Sequence, residues 1–581
     1  DTGDGYVRIR SRWLTNQFMH VENQTGSIQI GTIYDVWQSA QWQLVSLGGV
    51  ATSTSSAKTS SSSSVATSVA TSVATSVATT PKSSSSTAVT SSSGVTSSTV
   101  TTSSSGTTSS AVSPRGYAEP WTEYQLEAGR LGGGAKVLAP NRTKWDKNVI
   151  QAEAIVRSAV QLNSSGDSVP ITNTKQANSV VLRYSIPDSA SGGGLDATLG
   201  LYINGTRVKS LALTSKYSWS YKGGLIGDPI VDTPAEQPHT FFDEVAVLTD
   251  PIPVGAEVKI QRDAQDTAAF YVVDLVDLEQ VAPPLTMPAG FTDVTTLGII
   301  PNSGIDYADK ISGIMNGGAK LWFPPGEYLA QKLTSGNAGM DNKGAEIRGA
   351  GMWYTTIKGA KSIFFCIGPV KCVFGDFSIR GESKARAEES QGVQKAFAGP
   401  MGVGSIIENM WIEHVVGAIW VGNDPPYQTQ PTDSLTIRQV RIRNTYADGV
   451  NLDNGTSNSV VENSHFRNTG DDAAVVWSIK WTSWVRDKTV NAGPNFIKPE
   501  ARNAPDQGIG HGNTFRNLSV QMPWRANCFA AYGGYDNLFE NLKCEDVLTY
   551  PGILMDNEFS SYPFGPGLTT FRNIDLIRAG G

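Results

Sequence analysis

Two stretches of this chain align without a gap: residues 437–452 read IRQVRIRNTYADGVNL, and residues 461–476 read VENSHFRNTGDDAAVV. The second stretch begins 24 residues after the first, and the alignment puts Asp448 opposite Asp472, with Asp471 beside it. A repeat of this length, rich in short β-branched runs, is typical of a solenoid in which each repeat forms one coil. Strands of neighbouring coils lie about 4.8 Å apart, so the three carboxylates should share one small patch.

The repeat continues on both sides of this pair. Its units begin at Ile407, Ile437, Val461, Phe515, Phe539 and Phe571, with steps of 30, 24, 54, 24 and 32 residues. The third residue of each unit carries an amide: Asn409, Gln439, Asn463, Asn517, Asn541 and Asn573. Stacked amides can hydrogen-bond along a column of turns. The sequence therefore predicts an all-β chain with a right-handed parallel β-helix, and the irregular steps indicate insertions at one corner of the coil.

Composition excludes several kinds of partner. The 581 residues carry a net charge of −7, and the lysines and arginines are scattered rather than gathered on one face, which argues against a nucleic-acid ligand. No run of about 20 apolar residues occurs, so no membrane span is expected. The sequence begins at Asp1 without a methionine or a signal peptide, which indicates a processed protein or a fragment. We expect a monomer.

Cysteines and sequons favour a secreted, extracellular glycoprotein. Four cysteines occur; a Cys366–Cys372 bridge would close a small loop, and Cys528 and Cys544 lie in neighbouring repeats. No spacing typical of a Cys/His metal site is present. Six sequons stand at Asn23, Asn141, Asn163, Asn204, Asn454 and Asn517.

Four regions are predicted along the chain. Residues 50–115 are a Ser/Thr-rich linker that cannot bury a core, either O-glycosylated and extended or a bare flexible tether. Residues 1–49, with Gln41-Trp42-Gln43, resemble a single repeat of a ricin-type β-trefoil lectin. Short alternating strands in residues 116–283 predict a β-sandwich, and residues 284–581 form the predicted β-helix. A helix over residues 306–316 followed by KLWFPPGEY resembles the N-terminal cap of pectate-lyase-like β-helices.

The sandwich resembles carbohydrate-binding modules of family 35. The matching segments are YQLEAG at 124–129, LGGGAK at 131–136, YINGTRV at 202–208 and the closing YVVDLVDLE. The resemblance implies a structural Ca²⁺ on Glu127 and Asp274, whereas the alternative is that both are plain surface carboxylates. In KYSWSY, residues 216–221, alternation puts Tyr217, Trp219 and Tyr221 on one strand face. These rings could stack on sugars, but packing between sandwich and β-helix is the preferred interpretation.

The acidic trio is the candidate catalytic group. A gap-free reading of the neighbouring repeats gives Ala418 and Ala526 at the same position, so the coil itself does not require acids there. Adjacent carboxylates raise one another's pKa, a cost that proteins tolerate at functional sites. The alternative is a Ca²⁺ site or a solvated corner.

The order Asp-Gly, then Gly-Asp-Asp, also resembles the polygalacturonases of glycoside hydrolase family 28. Their Arg-Ile-Lys motif is missing here, and Gly510-His511-Gly512 places His511 40 residues after Asp471. An enzyme for an acidic polymer needs such cations, so a neutral glycan is the expected substrate.

Residues from 117 onward resemble glycoside hydrolase family 87, the α-1,3-glucanases and mycodextranases. The shared segments include FFDEVAVL, LWFPPGEY, RNTYADGVNLDNGT and NTGDDAAVVWS. The resemblance implies an inverting endo-hydrolase that cleaves an α-glucan, most simply α-1,3-glucan, without a catalytic cofactor. It assigns Asp471 as general acid and Asp448 and Asp472 as the pair that activates water. An inverting site separates acid and base by about 6.5–9.5 Å, which we expect between Asp471 and the pair.

Aromatic residues near the trio are the candidate sugar-binding groups. The long step after Val461 holds Trp477, Trp481 and Trp484, and Trp524 and Tyr532 follow. Together with His511 they predict a stacking floor for the glycan, although packing in the core is the alternative for some of them. Two rival functions remain at this stage: a lyase or polygalacturonase on another polysaccharide, and a non-catalytic glycan-binding β-helix.

Overall fold

The computed structural model describes residues 18–21, 28–31, 115–143, 146, 148–220, 239–240, 242–331, 340–341, 344–359, 364–366, 370–384, 386, 395–422, 432–479, 509–557 and 561–579. These residues are almost entirely β-structure, with a sandwich followed by a parallel β-helix, as the sequence predicts. In the N-terminal region a hairpin joins β1 (Phe18–Val21) and β2 (Ile28–Gly31). The predicted linker lies outside the described residues except at its end.

The sandwich region contains twelve described strands. They are β3 Trp121–Gln125, β4 Lys136–Leu138, β5 Ala159–Leu162, β6 Ser168–Thr172, β7 Ala177–Ser185, β8 Asp196–Ile203, β9 Thr206–Thr214, β10 Trp219–Ser220, β11 His239–Thr240, β12 Asp243–Ile252, β13 Glu257–Gln261 and β14 Tyr271–Glu279. Short 3₁₀ helices cover Leu126–Ala128, Ile150–Glu153 and Ile155–Arg157. One sheet has the order β12-β7-β14-β5-β4 with β3 on β14, and the other has the order β6-β13-β8-β9. Ten of the twelve strands form these two sheets, and β10 and β11 form a separate antiparallel pair.

The β-helix contains the remaining described strands and the one α-helix among the described residues. The strands are β15 Thr292–Asp293, β16 Lys320–Phe323, β17 Gly326–Leu329, β18 Met340–Asp341, β19 Glu346–Gly349, β20 Thr355–Lys358, β21 Phe364–Phe365, β22 Val373–Arg380, β23 Lys395–Gly399, β24 Ile406–Glu413, β25 Gly417–Val421, β26 Thr436–Arg443, β27 Val450–Asp453, β28 Val460–Arg467, β29 Ala474–Trp477, β30 Thr514–Gln521, β31 Phe529–Tyr532, β32 Leu538–Glu545, β33 Ile553–Asp556 and β34 Thr570–Ile577. A 3₁₀ helix covers Val294–Leu297, and α1 covers Ala308–Met315, within the predicted cap helix.

Each coil from β22 onward that is complete among the described residues contains one eight-residue strand followed by a shorter strand, and the two belong to different sheets. All strand pairs of the β-helix are parallel, and Ile437 pairs with Val461 at the 24-residue shift read from the sequence. The even-numbered strands from β22 to β34 form one long sheet, and the odd-numbered strands from β21 to β33 form the other. Each catalytic candidate lies in the turn from a long strand to the next short one.

The predicted amide ladder is present where the long strands bend. All six amide residues have left-handed φ values, from 49° at Asn463 to 55° at Asn573, a conformation that asparagine tolerates better than most residues. Asn541 Nδ2 donates to Asn517 Oδ1 at 2.6 Å, and Asn517 Nδ2 donates to Asn463 Oδ1 at 3.0 Å. These bonds join three of the six amides, whereas Asn409 Nδ2 donates to Asp376 Oδ1 at 2.7 Å.

A column of alternating charge runs beside this ladder. Its members in strand order are Glu408, Arg438, Glu462, Arg516, Glu540 and Arg572, each paired in register with the next. Arg516 and Glu462 approach to 2.7 Å, as do Arg572 and Glu540. Exposed ion pairs contribute little to stability. If a strand skipped its neighbour and paired with the coil after it, however, two side chains of like charge would lie side by side. The column thus favours the observed register.

The sandwich and the β-helix belong to one compact unit and share a buried, polar interface. Arg467 is fully buried and contacts Glu244 and Asp277 of the sandwich at 2.9 and 3.0 Å. The Tyr217 ring stacks on His414 of the β-helix with centroids 4.0 Å apart. The packing interpretation of KYSWSY is therefore confirmed for Tyr217, whereas Tyr221 lies outside the described residues.

Two disulfides join Cys366 to Cys372 and Cys528 to Cys544. The first is the predicted small loop, and the second connects the neighbouring coils that the sequence placed side by side. Among the described residues, no helix has the length and apolar character needed to cross a bilayer.

Candidate active site

Two turns of the β-helix carry the acidic trio. Asn444 follows β26 and Asn468 follows β28, both in the left-handed conformation, with φ of 49° and 62°. Asp448 and Asp472 come four residues after these asparagines, at equivalent points of adjacent coils. Gly470, directly before Asp471 in the second turn, must be glycine, because a Cβ atom there would lie 2.4 Å from the Tyr446 carbonyl carbon of the first turn. The sequence therefore presents all three carboxylates from one edge of the coil.

The three carboxylates converge on one cavity. One oxygen from each of Asp448, Asp471 and Asp472 lies within 4.8 Å of the others. Asp448 and Asp472 are 5% and 3% exposed, and the side chain of Asp471, at 22%, is the most accessible of the three. The cavity has a volume of about 250 Å³. The expected separation of 6.5–9.5 Å between acid and base is therefore wrong for the nearest oxygens, because both turns direct their carboxylates inward.

Asp472 is held by three hydrogen-bond donors. Asn527 donates its main-chain N–H and its Nδ2 to Asp472 Oδ1 at 3.0 and 2.7 Å. Tyr532 donates its hydroxyl to Asp472 Oδ2 at 3.0 Å. Asp448 has a lighter set, with Asn451 Nδ2 donating to its Oδ2 at 3.1 Å. Both carboxylates are thus fixed in orientation by amides from the adjoining strands and turns.

Asp471 is held by two arginines that sequence analysis did not identify. Arg386 Nη2 lies 2.6 Å from Asp471 Oδ2, and Arg525 Nη1 lies 3.2 Å from the same oxygen. Such ion pairs are made by the carboxylate form. The two guanidinium groups also oppose binding of a further cation at the trio, which counts against the Ca²⁺ alternative for these acids.

Burial makes it costly to ionise both inner acids. It raises the pKa of Asp472 to about 7, with the Asp471 charge acting in the same direction and the donors Asn527 and Tyr532 opposing it. Burial, and then the charges of Asp471 and Asp472, raise the pKa of Asp448 well above its ordinary range. Both inner acids therefore favour the protonated form more than an exposed carboxyl does, and Asp472 keeps its proton up to about neutral pH.

Aromatic and apolar side chains form the walls. Trp420, Trp477, Tyr550 and Leu554 line the cavity together with Tyr532. The Trp420 and Trp477 rings are 6.2 Å apart and nearly perpendicular, and Trp420 Nε1 donates to Asp453 Oδ2 at 2.9 Å. Rings held beside carboxylates can stack on the apolar faces of sugars.

The structure brings together five of the predicted site residues: Asp448, Asp471, Asp472, Trp477 and Tyr532. One prediction is wrong. Trp524 is 1% exposed and packs in the core, and it donates Nε1 to Thr445 O, so it cannot stack on a sugar. His511 is not among the residues that line this cavity and stacks on Tyr535 at another turn, with centroids 4.8 Å apart, so its role in substrate binding stays a prediction. Trp481 and Trp484 lie outside the described residues.

The gap-free reading also missed Asn527. Phe529 of β31 pairs with Ala474 of β29, so Asn527, not Ala526, is the counterpart of Asp472. Likewise, Ile419 pairs with Val450, which makes Gly417, not Ala418, the counterpart of Asp448. One extra residue in the turn before β31 explains the shift there. The amide of Asn527 could therefore be aligned with Asp472 only once the strand register was known.

The predicted calcium ligands, Glu127 and Asp274, have other surroundings. Asp274 is fully buried; its Oδ2 forms an ion pair with Arg183 and accepts the Ile155 N–H at 3.2 Å. Burial raises the pKa of Asp274 to about 7, against the effect of Arg183. The Arg183 guanidinium thus already pairs with the Asp274 carboxylate, and among the described residues no group of three His, Cys, Asp or Glu side chains includes Glu127 or Asp274. The Ca²⁺ site stays a prediction that these contacts do not support.

Comparison with known proteins identifies the class. Residues 119–281 match the family described as "Alpha-1,3-glucanase catalytic domain D1", and residues 315–581 match "Alpha-1,3-glucanase catalytic domain D2". Together these matches cover well over half of the chain, which is therefore a glycoside hydrolase. It belongs to the α-1,3-glucanases of glycoside hydrolase family 87. The carbohydrate-binding-module and lectin resemblances stay predictions.

Solved structures agree with this family. The catalytic domain of Agl-KA is 29% identical, with a TM-score of 0.66 over 80% of this chain and 76% of that one. The catalytic unit of a thermostable family 87 α-1,3-glucanase from Streptomyces thermodiastaticus strain HF3-3 is 27% identical with a TM-score of 0.64 over the same shares. A third family 87 α-1,3-glucanase, in complex with tetrasaccharides, is 27% identical with a TM-score of 0.63 and equal coverage. A comparison with curated protein sequences found no significant match.

Variants of that third enzyme were crystallised with oligosaccharides. They replace aspartates at positions 1045, 1068 and 1069 of its chain with alanine, in complexes with nigerose or tetrasaccharides. Those positions have the same spacing as Asp448, Asp471 and Asp472 here.

Proposed function

We propose that this protein hydrolyses internal linkages of α-1,3-glucan, with Asp448, Asp471 and Asp472 as its catalytic carboxylates. The observation that carries the proposal is the convergence of these acids in a cavity walled by tryptophan and tyrosine. Their spacing equals that of the aspartates replaced in the oligosaccharide complexes of a family 87 relative. The family match favours this function over a lyase, a polygalacturonase or a non-catalytic binding protein.

Asp448 and Asp472 are suited to hold the attacking water. Oxygens no more than 4.8 Å apart can both accept hydrogen bonds from one water at about 2.8 Å. The Asp472 carboxyl, with a pKa of about 7, is ionised in part of the molecules near neutral pH and can then take a proton from that water as it attacks the anomeric carbon. Asn451 and Asn527 keep the two acids oriented while this happens.

Asp471 is proposed as the proton donor to the leaving glycosidic oxygen. It is the most accessible acid of the trio, so it can recover a proton from solvent after each turnover. The ion pairs with Arg386 and Arg525 are those of ionised Asp471, the form that remains after it has donated its proton. Protonation of Asp471 would weaken both ion pairs. The arginines thereby stabilise the charge that forms on Asp471 in the transition state.

Inversion at the anomeric carbon is proposed from this division of roles and not from the spacing, because the nearest oxygens of the three acids lie closer than the 6.5–9.5 Å of an inverting pair. A retaining enzyme needs one carboxylate free to bond to the sugar. Both oxygens of Asp472 already accept hydrogen bonds, and Asp471 is paired with two guanidinium groups. Water held by two acids is the better nucleophile in this site.

A neutral glucan fits the cavity better than a uronate polymer. The two arginines that line the cavity both pair with Asp471, so each guanidinium already has a carboxylate partner within the site. Incubation with α-1,3-glucan should release reducing oligosaccharides, whereas polygalacturonate should give none. Cleavage of polygalacturonate, or unsaturated products from any polymer, would contradict the proposal.

We also propose that the protein acts outside the cell, which its two disulfides favour. The structure sorts the described sequons: Asn163 and Asn204 are exposed, whereas Asn454 is buried and the Asn517 amide belongs to the ladder. Mass spectrometry of protein recovered from culture medium should therefore find N-glycans at Asn204 and none at Asn517. A glycan on Asn517, or protein confined to cells, would contradict this proposal.

A further inference from the structure

A short segment of the sandwich has an unusual backbone. Val156 and Arg157 have φ values of 52° and 61°, two consecutive left-handed residues that are not glycine. For a β-branched residue this conformation is rare, and strained residues of this kind persist only where their surroundings impose the conformation. The segment Ile155–Arg157 therefore has a conformation that its contacts must maintain.

Those contacts reach the turn of the β-helix that leads to the cavity residue Tyr550. The Val156 N–H donates to Asp546 Oδ2 at 3.1 Å. Arg157 is 3% exposed, and its Nη2 donates to the main-chain oxygens of Asp546 and Val547 at 2.8 and 2.7 Å. Burial lowers the pKa of Arg157, against the charge of Asp546. A buried guanidinium that donates to two consecutive carbonyls fixes the path of that turn.

The same segment packs beneath the catalytic turns. Ile155 forms a buried cluster with Leu275 of the sandwich and with four residues of the β-helix turns, Tyr446, Met522, Trp524 and Leu548, and Val156 packs against it. Arg157 Nη1 also lies 2.9 Å from Met522 Sδ.

Each aromatic member of the cluster is adjacent to a site residue. Tyr446 precedes Asp448 by two residues, and Trp524 immediately precedes Arg525, which pairs with Asp471. A Cβ atom on Gly470, the residue before Asp471, would lie 2.6 Å from Trp524 Cζ2. A shift of this cluster would therefore move Asp448, Asp471 and Arg525 together.

We infer that Ile155–Arg157 of the sandwich positions the catalytic turns, so that Val156 and Arg157 are positioning residues for the hydrolysis. The inference rests on the proposed function. It makes the sandwich part of the catalytic apparatus rather than an appended glycan-binding module. Because a displacement of about 1 Å can cost about 100-fold in rate, the effect of losing this support should appear in kcat rather than in KM.

The test compares Arg157→Met with Arg441→Met in the full chain. Arg441 is also a buried arginine at this interface, bonded to Glu279 at 2.7 and 2.8 Å, but it is absent from the cluster and the cavity. Both variants should lower Tm. Arg157→Met should lower kcat by at least about tenfold with KM within about twofold, whereas Arg441→Met should keep kcat within about threefold. Equal kcat values for the two variants would overturn the inference.

A milder variant covers the case in which Arg157→Met does not fold. Arg157→Lys keeps the charge but cannot reproduce the fork to both carbonyls, and it should lower kcat by about three- to tenfold. A wild-type kcat in Arg157→Lys would contradict the inference. An inactive wild-type enzyme would instead count against the proposed function.

Discussion

Replacement of Asp471 by asparagine should lower kcat on α-1,3-glucan by about 10²–10⁴-fold, the contribution expected of a general acid. The amide cannot donate the proton that the leaving oxygen needs, whereas the cavity walls and the two inner acids stay in place. Binding of the glucan should change little. Initial rates of reducing-end release, with binding to insoluble glucan measured separately, would check this result.

Two controls make the Asp471 test specific. Asp575 also pairs with an arginine, Arg115 at 2.8 Å, at the surface of the last coil, and Asp575→Asn should keep the wild-type kcat. In an α-glucosyl fluoride the leaving group is fluoride, which needs no proton to depart. On such a substrate the loss of kcat in Asp471→Asn should therefore be much smaller. A large loss on the fluoride as well, or a near-normal kcat on glucan, would exclude Asp471 as the donor and favour Asp448 or Asp472.

Replacement of Asp472 by asparagine should abolish most activity and yet stabilise the fold at alkaline pH. Burial raises the pKa of Asp472 to about 7 from an ordinary value of 3.8. A raised carboxyl pKa means that the folded state disfavours the ionised form, so stability is lost as the pH rises from about 4 through about 7. Three pKa units correspond to about 4 kcal/mol at most, and asparagine removes this cost.

Thermal unfolding at two pH values checks the sign. At pH 8 the Tm of Asp472→Asn should exceed that of the wild type by several degrees, and at pH 4 the two should be nearly equal. The amide can still accept from Asn527 at its oxygen, as Asp472 Oδ1 does. A variant that is less stable than the wild type at pH 8 would show that the donors favour the ionised carboxylate, which would contradict the raised pKa of Asp472.

The sequence repeats predicted most of the β-helix fold. A 24-residue shift with Asn463 opposite Gln439 predicted parallel coils and the amide ladder, because stacked coils force equivalent residues into one column. The same logic brought Asp448, Asp471 and Asp472 together. It failed at Asn527, since a turn can take up one extra residue without disturbing the strands on either side.

Other parts of the site follow no repeat. Arg386 comes from a segment outside the aligned units, and only the folded coil brings its guanidinium to Asp471. Trp524 and Tyr532 both looked like sugar-binding residues in the sequence. Trp524, in the turn between β30 and β31, packs under the catalytic turns, whereas Tyr532, the last residue of β31, reaches Asp472. The presence of an aromatic residue in the sequence does not show whether it lines the cavity, as Tyr532 does, or packs beneath the catalytic turns, as Trp524 does.

Proton NMR of the first products from soluble α-1,3-glucan oligosaccharides tests the central claim most directly. Direct attack by a water held between Asp448 and Asp472 inverts the anomeric carbon, so newly formed reducing ends should be β-anomers that mutarotate to the equilibrium mixture afterwards. Wild-type enzyme should show this order within the first turnovers. Initial accumulation of the α-anomer would contradict the account, because it requires a covalent glycosyl intermediate on one of the three aspartates.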